Sequence, residues 1–149
     1  MYTALNMENI FIDLEMKEKE EVLIKISSLA KGLGICSEEK GLFESLLNRE
    51  KEFSTNVVEG IAIPHIKSKD INRPSLIIIK LKNDIDWDNT GEMVSMIISM
   101  LYPEENYSNC HIKLLSKLSR KLIDNKFRNL LINSEEKESI YKRINVVLN

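Results

Sequence analysis

The sequence predicts an α/β fold, a three-layer α/β/α sandwich whose mixed central sheet is covered by helices on both faces. Helical periodicity occupies both ends of the chain, strand-like runs occupy its middle, and the two most apolar of those runs, residues 75–82 and 94–101, lack polar alternation. A strand that is apolar on both faces belongs in the interior of a sheet with helices above and below. Short connections between the central runs require antiparallel neighbours, so the sheet is expected to be mixed.

Near the start, IFIDL alternates at Ile10, Ile12 and Leu14 and reads as a weaker strand. Val22, Ile26, Leu29 and Leu33 then recur at helical spacing, and the segment closes at Gly32 and Gly34. Ser37 suits an N-cap, Glu38 and Glu39 suit the positive end of the next helix dipole, and Leu42, Phe43, Leu46 and Leu47 form that helix's apolar stripe. Strands are expected at 61–65, 75–82 and 94–101. Ile112, Leu115, Leu118 and Leu122 mark a long amphipathic helix, and Phe127, Leu130 and Leu131 a short one. Ser134, with Glu135 and Glu136, is expected to start a last helix bearing Ile140, Ile144 and Val147.

Composition narrows the possible functions. The chain of 149 residues fits a single domain, 1–149, with enough length for a core. It is 43% apolar and 30% charged with a net charge of −2 and interspersed signs, which offers nucleic acid no basic stripe. LIIIKL and VSMIISML are far short of a membrane span, and MYTALNMENI lacks the pattern of a signal peptide. Two cysteines, Cys36 and Cys110, are too few for a disulfide framework, so a reducing, cytoplasmic setting without membrane insertion is expected. Adjacent Cys110 and His111 share one tetrahedral site poorly and no CxxC occurs, so no metal is expected.

Histidine occurs twice, at His65 and His111. Imidazole serves as base, ligand or nucleophile near neutral pH. His65 closes the run GIAIPH. Pro64 has no N–H for a sheet ladder, so the strand is expected to end before it, leaving His65 at the rim where the chain turns toward Lys67. Strand ends are where α/β folds expose reactive side chains, although a hydrogen-bonded structural histidine fits these residues equally well. Arg49 near a helix C-terminus satisfies the dipole whatever the function, His111 occupies a common exposed helix position, and Ser54 and Thr55 read equally as loop residues capping backbone groups. Trp87 in Asp86-Trp87-Asp88 reads as a packing residue beside a turn.

The string LLNREKEFSTNVVEGIAIPH resembles the signature of the fructose/mannitol-type (type 2) enzyme IIA domains of the bacterial phosphoenolpyruvate-dependent sugar phosphotransferase system. In that family an Arg-Glu pair ends a helix, a Ser-Thr pair follows, and GIAIPH holds the phosphorylated histidine. IDWDNTGEMVSMIISMLYPEEN is similar to the family's Trp-containing segment and central strand, and NCHIKLLSKLSRKLIDNKFRNLL to its His-bearing helix. The resemblance implies that His65 accepts the phosphoryl group through Nε2 with His111 and Arg49 beside it. His111 would fix the tautomer or hold the phosphoryl group, and Arg49 would supply a fork of charged donors. Ser54 and Thr55 are implied as further hydroxyl donors to the same oxygens. The implied partners are HPr as phosphoryl donor and a cysteine of enzyme IIB as acceptor, with no cofactor. A regulatory relative whose phosphorylation state controls a protein partner is the alternative. Ile61, Ile63 and Ile66 are expected to contribute to an apolar rim around His65. The family's glycines before GIAIPH and after the histidine are replaced by Asn56-Val57-Val58-Glu59 and by Ile66. Loop shape and partner choice are expected to differ accordingly. Sugar identity and oligomeric state are left open.

Overall fold

The two runs without alternation form the middle of a five-stranded mixed sheet. A computed structural model describes residues 5–55, 58–104 and 109–149, with the side chains at 109–112, 114 and 115 outside the description. The elements are β1 (Ile10–Leu14), α1 (Lys19–Gly32), α2 (Glu39–Glu52), β2 (Gly60–Ala62), β3 (His65–Ser68), β4 (Ser75–Asp86), β5 (Met93–Pro103), α3 (Asn109–Lys121), α4 (Asn125–Ile132) and α5 (Lys137–Leu148). β1 lies parallel to β4, β4 antiparallel to β5, and both β2 and β3 parallel to β5 at the opposite edge.

Period-two alternation along β4 and β5 sends side chains into two cores. Ile77, Ile79, Ile97 and Leu101 pack with Val22, Leu23, Ile26, Leu42 and Leu46 of α1 and α2. Leu76, Ile78, Met96 and Ile98 pack with Leu118, Leu131, Ile140 and Ile144 of α3, α4 and α5. Each fully buried aliphatic side chain contributes about 1.5–3 kcal/mol over an exposed one, so both faces of the sheet need a helical cover. Cys36 lies in the first core, and burial pushes its thiol pKa up. Among the described residues no helix is long and apolar enough to cross a membrane.

β4 extends beyond the expected residue 82 to Asp86, whose carboxylate accepts the N–H groups of Thr90 and Gly91, each at 3.0 Å, and closes the turn to β5. Ser37 and Ser134 are not the helix caps expected of them. Ser37 donates its hydroxyl to the Asp70 carbonyl while α2 starts after Glu38, and Ser134 donates back to Leu130 of α4 while α5 starts after Glu136. Such short hydroxyl side chains bond whichever nearby carbonyl the tertiary structure offers.

The main departure from expectation concerns residues 61–65. β2 leaves β5 after Ala62, but pairing resumes at once, with His65 opposite Met100 and Ser68 opposite Pro103. His65 therefore does not sit where the chain turns away from the sheet. It opens the second half of an interrupted edge strand. The Pro64 carbonyl accepts the Met100 N–H and the buried Ser99 hydroxyl, both at 3.0 Å, which keeps the acceptor side of the ladder intact across a residue that lacks a donor.

Candidate functional site

The interruption leaves Ile63 bonded outside the ladder to β5. Its N–H donates to the Thr55 carbonyl at 2.7 Å, and its own carbonyl lies 2.8 Å from Nδ1 of His65. A carbonyl only accepts, so Nδ1 carries the proton and Nε2 presents a lone pair. Toward that lone pair points the guanidinium of Arg49, with Nη2 at 3.3 Å and Nη1 donating to the Phe53 carbonyl at 3.1 Å. The imidazole is thus held in one orientation, with a fixed cation beside Nε2. Both His65 and Arg49 are half-buried, open to solvent but braced by backbone. The tautomer is set by the Ile63 carbonyl, which frees His111 from one of the two roles expected of it. His111 lies in α3, and its side chain falls outside the described residues.

Behind Arg49 sits a buried polar cluster. Glu50 is only 5% exposed, and its Oε1 accepts the Thr55 N–H and the Trp87 indole N–H, both at 2.9 Å, with Nζ of Lys19 at 3.4 Å. Its Oε2 accepts the Thr55 hydroxyl at 2.6 Å. Lys19 also donates to Asp88 at 2.8 Å, and Asp88 accepts the Ser54 hydroxyl at 2.6 Å. Burial raises the Asp88 carboxyl pKa, but the bonds from Lys19 and Ser54 and the Lys19 charge outweigh it, so the group lies below its ordinary value. The start of α1, the end of α2 and the β4–β5 turn are joined by these contacts.

Together these contacts set an imidazole lone pair beside a guanidinium whose fork of donors matches phosphate oxygens, on a rigid hydrogen-bonded base. Over residues 3–146 the chain matches the family model described as phosphoenolpyruvate-dependent sugar phosphotransferase system, EIIA 2. The chain belongs to this family. It is 30% identical over 141 residues to the PTS system fructose-specific EIIABC component of Bacillus subtilis, covering 95% of this chain and 22% of that protein, so it spans only about a fifth of that relative. The nitrogen regulatory protein IIA-Ntr from Neisseria meningitidis superimposes with a TM-score of 0.85 at 27% identity, covering 95% of this chain and 96% of that one. The fold is also that of enzyme IIAMTL in its complex with phosphorylated enzyme IIBMTL from Escherichia coli, with a TM-score of 0.80 at 18% identity over 95% of this chain and 97% of that one.

Of the positions that the EIIA resemblance singled out, His65 and Arg49 are in contact. Ser54 and Thr55 lie next to the site but are differently engaged. Each hydroxyl has one proton to give, and here it goes to Asp88 or Glu50 instead of toward a phosphoryl group on His65. Thr55, at 1% exposure, is also too buried to meet one without rearrangement. The expected apolar rim is likewise corrected. Ile61 and Ile63, at 0% and 4% exposure, belong to the core beneath α3–α5, and Ile66 packs against the α1–α2 core. Among the described residues, an exposed apolar group next to Arg49 is Phe53, 74% exposed, whose carbonyl accepts from the Arg49 guanidinium. Sequence reasoning also missed Glu50, Lys19 and Asp88. The one available signal was Glu50 itself, an acid within the Arg-Glu pair in the last turn of α2.

Proposed function

We propose that this chain is a sugar phosphotransferase system phosphocarrier, a phosphotransferase component that takes a phosphoryl group from the phosphohistidine of HPr onto Nε2 of His65 and passes it to a cysteine of enzyme IIB. In the first step the P–N bond to the donor histidine breaks as the bond to Nε2 of His65 forms. In the second a thiolate attacks phosphorus and Nε2 leaves with its lone pair. No redox change accompanies either step. The observation that carries the proposal is the pair of contacts on one imidazole, Nδ1 on the Ile63 carbonyl at 2.8 Å and Nε2 facing Arg49 at 3.3 Å. This arrangement aims the nucleophilic lone pair and keeps a cation where charge moves. His111 is assigned by resemblance to hold the phosphoryl oxygens, because the tautomer already has its acceptor. We assign the reaction to the cytoplasm, in keeping with a chain whose two cysteines are too few for a disulfide framework. The test is incubation with phosphoenolpyruvate, enzyme I and HPr, followed by acid-labile phosphate in wild type and His65→Ala. Labelling of wild type alone is expected, and an unlabelled wild type or a labelled mutant would refute the proposal.

A regulatory role, in which the phosphorylation state governs a protein partner, is favoured by one observation, the 0.85 TM-score with the nitrogen regulatory protein. Labelled protein mixed with enzyme IIB separates the two roles. Rapid loss of label to the cysteine supports the carrier, and retention supports the regulator.

A further inference from the structure

The Nδ1-protonated tautomer depends on the direction of the Ile63 carbonyl, which faces away from β5 and has no ladder bond of its own, although the sheet holds Ala62 and Pro64 on either side. Ile63 lies between β2 and β3, and its own N–H and C=O bond to Thr55 and His65. Thr55 is in turn held at two atoms by the Glu50 carboxylate. A chain of hydrogen bonds thus runs Glu50, Thr55, Ile63, His65, with lengths of 2.9 and 2.6 Å at the first link, 2.7 Å at the second and 2.8 Å at the third. Residue 49, one step from Glu50 on the same helix end, delivers the guanidinium to the other imidazole nitrogen.

We infer that Glu50 is a positioning residue for His65, setting the tautomer and orientation of the imidazole through Thr55 and Ile63 while its neighbour Arg49 engages Nε2. A buried carboxylate with four donors is poor evidence for a purely stabilising role, because a well-packed apolar side chain often serves stability as well. What an apolar residue cannot do is hold the Thr55 N–H and hydroxyl in a fixed direction, and charge-assisted bonds hold them firmly. Trp87 and Lys19 complete the carboxylate's bonding and lock it against rotation. Glu50 touches no reacting atom. Its effect reaches the nucleophile only through backbone.

The inference rests on the phosphocarrier proposal for its kinetic consequence, but its structural consequence is measurable without any phosphoryl donor. Nitrogen-15 NMR of the unphosphorylated protein reads the fraction of His65 protonated at Nδ1, and the rate of uptake from phospho-HPr is measured on the same samples. Wild type is expected to be the Nδ1–H tautomer. Glu50→Gln, close in shape, is expected to show a mixture of tautomers and uptake slowed by roughly ten- to a hundredfold. Ile26→Ala, in the middle of α1 and in the core that does not contain Ile63, controls for stability and is expected to keep the wild-type tautomer. Should Glu50→Gln fail to fold, Thr55→Val, which removes one link, is read in its place and is expected to shift the tautomer in the same direction. An unchanged tautomer in the folded variant overturns the inference. A shifted tautomer together with an unlabelled wild type leaves the relay standing and removes the phosphocarrier proposal alone.

Discussion

Replacing Arg49 tests whether the cation at Nε2 acts on the transferring group. In the resting site Nη1 holds the Phe53 carbonyl at 3.1 Å and Nη2 faces Nε2 of His65 at 3.3 Å. Once Nε2 bonds to phosphorus its lone pair is used, and the Nη2 donor is left beside the incoming oxygens. Arg49→Ala removes that charge-assisted hydrogen bond, which is worth about 1.5–3 kcal/mol. At 1.36 kcal/mol per tenfold in rate, transfer from phospho-HPr should slow by roughly ten- to 150-fold. Arg49→Lys keeps the charge, but its single ammonium cannot span both acceptors, so it should recover only part of the loss. Folding stability is a separate quantity. The Phe53 contact is one bond from a half-buried side chain, and its loss should lower stability by only about 0.5–1.5 kcal/mol in urea unfolding. Rapid-quench transfer of labelled phosphate, measured under single-turnover conditions, gives the rate. An Arg49→Ala rate within about twofold of wild type, or an Arg49→Lys rate equal to it, would refute the reasoning.

Three further outcomes are expected. Gly60 (φ +81°) and Gly91 (φ +91°) both hold left-handed backbone, and a methyl at Gly60 would meet only the terminal Cδ1 of Ile132, at 2.9 Å, which can turn aside, so Gly60→Ala and Gly91→Ala should each destabilise by about 1–2 kcal/mol. A loss below about 0.5 kcal/mol at either position in urea titrations would rule out the conformational account. His111→Ala should still take up phosphate but pass it poorly to enzyme IIB, so unaltered onward transfer would remove His111 from the site. The Asp88 carboxyl lies below its ordinary 3.8 when folded, so its contribution to stability is full above that value and is lost as pH falls below it. Urea midpoints should therefore drop below about pH 4, and less steeply in Asp88→Asn. Parallel pH profiles for the two proteins would contradict the assignment.

The layers of the fold were legible because burial leaves a periodic trace in one dimension. Ile77 to Ile79 and Met96 to Ile98 are apolar on successive residues, which only a strand covered on both faces tolerates. His65 was legible as a candidate because Pro64 removes a ladder donor next to an imidazole, although the sheet does not end there as that donor's absence led one to expect. The re-pairing of His65 to Ser68 was not, because four residues of mixed polarity give too short a pattern to show alternation. Nor was the Glu50 cluster. Lys19 and Trp87 lie more than thirty residues from Glu50 along the chain, and a buried carboxylate has the same letter as a solvated one. Trp87 was expected to pack beside a turn, and it does so at 2% exposure, while its indole N–H also serves Glu50.

The broken edge strand has a consequence for how the molecule meets others. An uninterrupted border strand shows evenly spaced amides and carbonyls to any passing chain and invites fibril-like extension of the sheet. At Ile63 both outward-facing backbone groups are already bonded, the amide to Thr55 and the carbonyl to the imidazole. At this point of the edge no free backbone pair is offered to a sixth strand. Under the phosphocarrier proposal a protein meeting His65 would dock through side chains, which suits a contact that has to release.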